Sequence, residues 1–246
     1  MRRGRTIALA TAGIGAVQWV PGTFAAWSPR VARLVGIPAT LPSERGVLLT
    51  FDDGPDIRGT PAILDVLGAA RAPAVFFVTG EQARRSPGLV AELVARGHEV
   101  GIHGHRHQTR RQWTPRLLED DTMRALDAVS RAGAVTPRLY RPPHGVFSST
   151  GLRTIRRLGL VPLLWSKWGR DWQSRATPAT IACRATAGIR AGDVVLLHDA
   201  DRYGARESWR KTARALELIL ADLVEARLEP AAIVERSMGG VLTLSH

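Results

Sequence analysis

The chain has one cysteine, Cys183, among 246 residues, so no intramolecular disulfide framework holds it. It has no run of about 20 apolar residues, the length a membrane-spanning helix needs. No glycine-rich loop follows its first apolar strand, which disfavours a dinucleotide or nucleotide-phosphate fold. Zinc-finger spacing, an RNA-recognition signature and an arginine-rich tail are missing too. Acidic residues are in deficit: 34 Lys and Arg stand against 22 Asp and Glu, a formal charge of +12. Such a surplus favours approach to nucleic acid, anionic lipid or acidic wall polymers without choosing among them. The arginines are spread through helical stretches (Arg84-Arg85, Arg110-Arg111, Arg156-Arg157) rather than gathered in one basic arm. Nucleic-acid binding is therefore not the expected function.

What is present suits a globular protein: 45% hydrophobic and 23% charged residues, in a chain long enough for one large domain or two small ones. At the start, three early arginines precede an apolar stretch from Ile7 to Val20, ending at Pro21. This has the basic and apolar regions of a secretory signal, though "TFAAW" offers no clean cleavage site. Residues 1–45 are expected to be a signal or membrane anchor plus a lead-in segment, with a buried N-terminal helix as the alternative. The protein is expected to be exported or membrane-associated, facing the cell envelope, with the cytoplasm as the alternative. One domain is expected over 46–246.

From Gly46 strands and helices alternate. Apolar strands are expected at 47–51, 74–80, 98–105, at the strand end that opens "LYRPPHG", within "LVPLLWSKW", at "DVVLLHD" and, last, at "AAIVERS". Helices are expected at "TPAILDVLGAA", 86–97, "TPRLLEDDTMRALDAVSRAG", "STGLRTIRRLG", "TPATIACRATAGI" and 208–228, several opening on Pro and closing on Gly. This alternation implies an α/β fold with a mostly parallel sheet and helices outside it. Closure into a barrel does not follow from periodicity.

The polar clusters fall immediately after apolar strands: Asp52-Asp53, His103 with His105 and His107, Arg141, Asp171, and His198-Asp199. In a parallel α/β architecture such positions converge on one face, where loops build the site. His103 and His107, four residues apart, can meet on a helix or tight turn, and two histidines with one carboxylate form a common catalytic zinc set. The alternative is a polar loop without metal. His105 then points elsewhere, and His98, beside Gly97, reads as a cap or packing residue. Neighbouring side chains at a strand end face differently, so one of Asp52 and Asp53 can hold a cation while the other takes a proton from water. Arg141 can orient that base or form a surface ion pair. His198 can donate a proton to a leaving amine, or be a hydrogen-bonded histidine at the core edge. Trp165, Trp168 and Trp172 can floor a sugar cleft or simply pack.

Taken together, "TFDDGP" (Thr50–Pro55), the pair His103 and His107, "RPPHG" (Arg141–Gly145), "DW" (Asp171-Trp172) and "LLHD" (Leu196–Asp199) occur in the order of a known family. From about Gly46 to Leu242 the chain resembles the NodB-homology polysaccharide deacetylases, carbohydrate esterase family four. The resemblance implies a distorted (β/α) barrel of about seven parallel strands and a divalent metal, usually zinc, on Asp53, His103 and His107. It also implies Asp52 as general base, His198 as general acid, Arg141 positioning the base, and the backbone N–H of His144 meeting the oxyanion. The reaction implied is removal of N-acetyl groups from a glycan. In two places the chain departs from the pattern: His144 stands where tyrosine is usual, and Trp168 where an aspartate is frequent. Orientation of His198 then falls to Asp171 or another group. The charge suits an N-acetylated glycan of an anionic envelope. The alternatives are a non-catalytic carbohydrate-binding or envelope-associated protein on the same fold, and an amidohydrolase of a small non-sugar amide.

Overall fold

The computed structural model describes residues 25, 28–109, 114–236 and 241–245. The basic and apolar start, read as a signal or anchor, lies outside them. No helix among the described residues is long and apolar enough to cross a membrane.

Seven strands form one parallel path: β1 (Gly46–Asp52), β2 (Val75–Val78), β3 (Glu99–Ile102), β4 (Leu139–Tyr140), β5 (Val161–Pro162), β6 (Lys167–Trp168) and β7 (Val194–His198). Their order across the sheet is β5-β4-β3-β2-β1-β7-β6. Helices α1 (Pro29–Leu34), α2 (Gly59–Ala70), α3 (Gly80–Arg85), α4 (Pro87–Ala95), α5 (Pro115–Gly133), α6 (Ser149–Arg157), α7 (Pro178–Thr186) and α8 (Ser208–Glu225) complete the α/β pattern. A short strand β8 (Glu229–Pro230) pairs with the start of β1, and β9 (Ala232–Arg236) makes an antiparallel hairpin with β10 (Val241–Ser245). The expected last strand is thus followed by one more.

β1 lies between β2 and β7 and is buried along its whole length, which is why its sequence is almost uniformly apolar. Its alternation sorts the two faces. Phe51 pairs in register with Phe76 and stacks on it, centroids 5.0 Å apart, on one face. Thr50 and Asp52 share the other, the barrel interior, with the in-register Phe77 of β2 and Leu196 and His198 of β7. Gly101, in register with Phe77, has no side chain because a Cβ there would stand 2.7 Å from the Phe77 ring.

The sheet curls. Arg141, just past β4, bonds to Thr50 and Asp52 of β1, although β3 and β2 lie between. On a flat sheet three strand spacings would separate them by roughly 14 Å. The result is a distorted (β/α) barrel, partly open between β5 and β6. No helix joins those two edge strands, and residues 163–166 run directly across the opening. The expectation of one strand through "LVPLLWSKW" is therefore corrected: it is two short strands, because between them the carbonyls of Leu163 and Leu164 accept from Arg141 Nε and Nη2 at 3.1 and 3.0 Å. The lead-in also packs here. Pro38 O accepts from Leu164 N, Thr40 bridges Asp193, and Ile37, Ala39 and Leu41 are buried.

Candidate active site

The site forms where the interior faces of the strands end. Asp52 is the last residue of β1, and Asp53 leaves the strand with φ 81, a left-handed conformation unusual for a residue with a side chain. That turn separates the directions of the two adjacent carboxylates. His103 follows β3, and the chain bends through Gly104 (φ 77) to bring His107 back beside it. The imidazole centroids are 5.1 Å apart. The tight-turn reading of this pair is the one observed.

Asp53 Oδ1 lies 3.4 Å from His103 Nε2 and 3.3 Å from His107 Nε2, and ligand-capable atoms of the three residues all fall within 4.8 Å of one another. Bonds of about 2.0–2.2 Å in a tetrahedral site give ligand edges of roughly 3.3–3.5 Å, so these separations fit a metal. Two further features agree. Asp53 Oδ1 is buried with no hydrogen-bond partner, a costly arrangement without a cation. His103 Nδ1 lies 2.9 Å from Arg141 O, and donating there leaves Nε2 with a lone pair for a metal. Burial pushes His107 down to about 3, so it is a neutral ligand. Burial opposes the charge of Asp53, but contact with His103 and the field of His198 outweigh it and hold the carboxyl far below the usual range.

Flanking this triad are two further pairs. Arg141 is fully buried and donates from Nη1 to Asp52 Oδ1 at 2.7 Å and to Thr50 Oγ1 at 2.8 Å, with its guanidinium carbon 4.1 Å from the Phe77 ring centroid. It is not the surface ion pair that the sequence left open. Asp52 Oδ2 remains on the triad side, 3.8 Å from His103 Nε2. On the opposite side His198 Nε2 lies 3.9 Å from Asp53 Oδ2. Asp171 takes hold of His198 twice, through Nδ1 at 2.8 Å and the backbone N–H at 2.7 Å. Burial disfavours the imidazolium, but the Asp171 carboxylate and the fields of Asp53 and Asp52 push His198 up to about 10.

A cavity of about 250 Å³ opens over these groups, lined by Asp52, Asp53, His103, His107, His144, Gly145, Trp165, Trp168, Trp172, Leu196, His198 and Tyr203. The three tryptophans form a contiguous row, with successive centroids 6.0 and 5.5 Å apart, and Trp172 meets His198 edge-on. His144, at φ 59, stands edge-on to His107. The nine site residues named with the family resemblance therefore meet at one site: seven line the cavity, Asp171 holds His198, and Arg141 holds Asp52. His105 and His98 are outside it. His98 packs edge-on against Phe76.

Sequence reasoning missed three contributors. Tyr203 stacks on His107 with centroids 4.1 Å apart. Thr212 donates to Asp171 Oδ2 at 2.8 Å. Thr50 was detectable: it is the polar residue two positions before Asp52 in an otherwise apolar strand, so the same face carries both. Thr212, on α8, left no such signal.

The sequence profile of the family described as polysaccharide deacetylase matches residues 40–163. A chitooligosaccharide deacetylase of Bradyrhizobium sp. (strain ANU 289) is 37% identical over 186 residues, 73% of this chain and 84% of that protein. A peptidoglycan-N-acetylglucosamine deacetylase of Bacillus cereus (strain ATCC 14579) is 33% identical over 183 residues, 74% of this chain and 83% of that one. Among solved structures, a family 4 carbohydrate esterase from Streptomyces lividans in complex with acetate aligns with a TM-score of 0.69 and 28% identity, covering 78% of this chain and 95% of its own.

Proposed function

The chain belongs to the polysaccharide deacetylase family, and from that premise we infer that it is a metal-dependent hydrolase removing N-acetyl groups from glycans. The observation that carries the reading is the arrangement of Asp53, His103 and His107 between an arginine-held carboxylate and a carboxylate-held histidine. We assign the metal to these three residues and its identity to zinc, because two imidazole nitrogens and one carboxylate oxygen at tetrahedral spacing are a zinc donor set. When bound, such a cation supplies Lewis acidity, polarising a carbonyl and making water more acidic.

The chain's own groups perform the proton transfers. Arg141 occupies Asp52 Oδ1, leaving Oδ2 to take a proton from the attacking water. Oxygen adds to the acetamido carbonyl carbon, and the His144 N–H faces the developing oxyanion. His198 keeps Nδ1 on Asp171 and gives its Nε2 proton to the amine as the C–N bond breaks, yielding acetate and a free amine. Trp172 and its neighbours supply flat apolar faces against which a sugar ring can lie. The proposed substrate is an N-acetylated envelope polysaccharide or oligosaccharide. In support, the relatives act on chitooligosaccharide and peptidoglycan N-acetylglucosamine, and the +12 charge favours an anionic envelope. An exported or membrane-associated location follows from that substrate.

Acetate release from N-acetylglucosamine oligomers, peptidoglycan and acetylated xylan by the zinc-loaded protein tests this, beside Asp52→Asn. Release from the N-acetylated glycans that vanishes in the variant is expected. Silence across the panel from folded, metal-loaded protein would overturn the assignment.

A further inference from the structure

A second and larger cavity, of about 620 Å³, lies behind the metal-site loop, between α3 and α5. Its charged lining is Arg84, Arg106, Arg124 and Arg131 against one carboxylate, Asp127. Asp127 is engaged by Arg131 at 2.8 Å, and Arg106 reaches Glu81 only at 3.7 Å. Arg84 and Arg124 have no carboxylate partner among the described residues. Two unneutralised guanidiniums in one concavity repel each other and gain by sharing an anion.

The fifth polar group is His105, 8% exposed and part of the same lining. Its backbone N–H is held by Asp121 Oδ2 at 2.8 Å. Ring Nδ1 is buried without a partner and lies so close to Gly80 that a Cβ there would collide with it. An unmet acceptor is tolerated inside a protein more readily than an unmet donor, so the proton belongs on Nε2, at the far side of the ring from Gly80. The cavity thus offers guanidinium forks and one imidazole N–H, all donors, which matches the several acceptor oxygens of a phosphate better than one carboxylate.

We propose that the cavity lined by Arg84, Arg106, Arg124, Arg131 and His105 is a phosphate-binding site, separate from the catalytic cavity but built on the loop that carries His103 and His107. The site does not depend on the deacetylase reading. Calorimetric titration of the metal-loaded full chain with inorganic phosphate, and separately with a glycerol phosphate oligomer, tests it. Arg84→Gln/Arg124→Gln is compared with Arg58→Gln/Arg85→Gln, which removes equal charge from the other flank of α3. Saturable binding weakened at least about tenfold in the first variant and little changed in the second is expected. Binding of the free anion points to a small phosphate, and binding of the oligomer alone to a polymer-borne one. Absence of saturable binding to either probe would overturn the proposal. So would binding that survives in the first variant, which places the anion on the catalytic metal, or equal loss in both variants, which makes it a general charge effect.

Discussion

Replacing Asp171 by Asn isolates the acid half of the proposed mechanism. Asp171 is fully buried. Its Oδ2 accepts from the His198 backbone N–H at 2.7 Å and from Thr212 Oγ1 at 2.8 Å, while Oδ1 faces His198 Nδ1 at 2.8 Å. In Asn the amide oxygen belongs at the position that accepts twice, which turns the NH₂ toward Nδ1. His198 must then accept at Nδ1, and the imidazolium loses both its hydrogen bond and its counter-charge. A hydrogen bond to a charged group contributes about 1.5–3 kcal/mol, so kcat for N-acetyl substrates should fall about 10- to 150-fold. The carboxylate raises His198, so its removal lowers the pH at which the acid form is lost. The alkaline limb of kcat therefore moves to lower pH. An aryl acetate, whose leaving group needs no proton, separates this from structural damage. Hydrolysis of 4-nitrophenyl acetate should be nearly unchanged while acetate release from an N-acetylglucosamine oligomer collapses. Equal loss on both substrates would refute the reasoning, as would an unmoved alkaline limb.

Dialysis against a chelator should abolish acetate release and lower the melting temperature, since the cation binds only the folded chain; zinc should restore both, and Asp53→Asn should respond to neither treatment. Arg141→Met should cost about 3–5 kcal/mol in urea unfolding, because it leaves a buried carboxylate without its partner. Thr50→Val, which removes one hydroxyl acceptor from the same guanidinium, should cost about 1 kcal/mol. Gly101→Ala sets a Cβ 2.7 Å from the Phe77 ring and 3.2 Å from Leu139 Cβ, so about 1–3 kcal/mol is expected from overpacking, and activity should fall as Phe77 shifts beneath Arg141.

The polar ends of the strands were legible because a parallel α/β chain declares them locally. An apolar run stops, and the next side chain is Asp52, His103, Arg141 or His198. The helices were similarly plain where caps accompanied the pattern: Thr114 and Thr177 each accept from the first turn that follows them. Features set by contacts between distant residues left no local trace. Tyr203 reaches His107 from the loop after β7, and Thr212 reaches Asp171 from α8. Neither position differs in pattern from its neighbours. α3 was missed because its six residues are too few to show a period.

The break in "LVPLLWSKW" shows why some of the fold could not be read in this way. Those residues are apolar enough for one continuous strand, and a strand would pair their carbonyls along the sheet. The carbonyls of Leu163 and Leu164 instead bond to a guanidinium 22 and 23 residues earlier in the chain. Nη1 of that same guanidinium holds Asp52, on the far side of the barrel interior. Arg141 therefore does two jobs through one planar group, bridging the opening between β5 and β6 and holding the Asp52 carboxylate. Lysine, a single rotatable point charge, cannot satisfy both directions. Arg141→Lys should consequently keep an ion pair with Asp52 yet lose the two carbonyl contacts. If unfolding free energy and kcat both fall in Arg141→Lys, closure of the barrel and placement of Asp52 are one interaction. Unchanged stability with reduced kcat would instead show that Leu163 and Leu164 hold their positions without it.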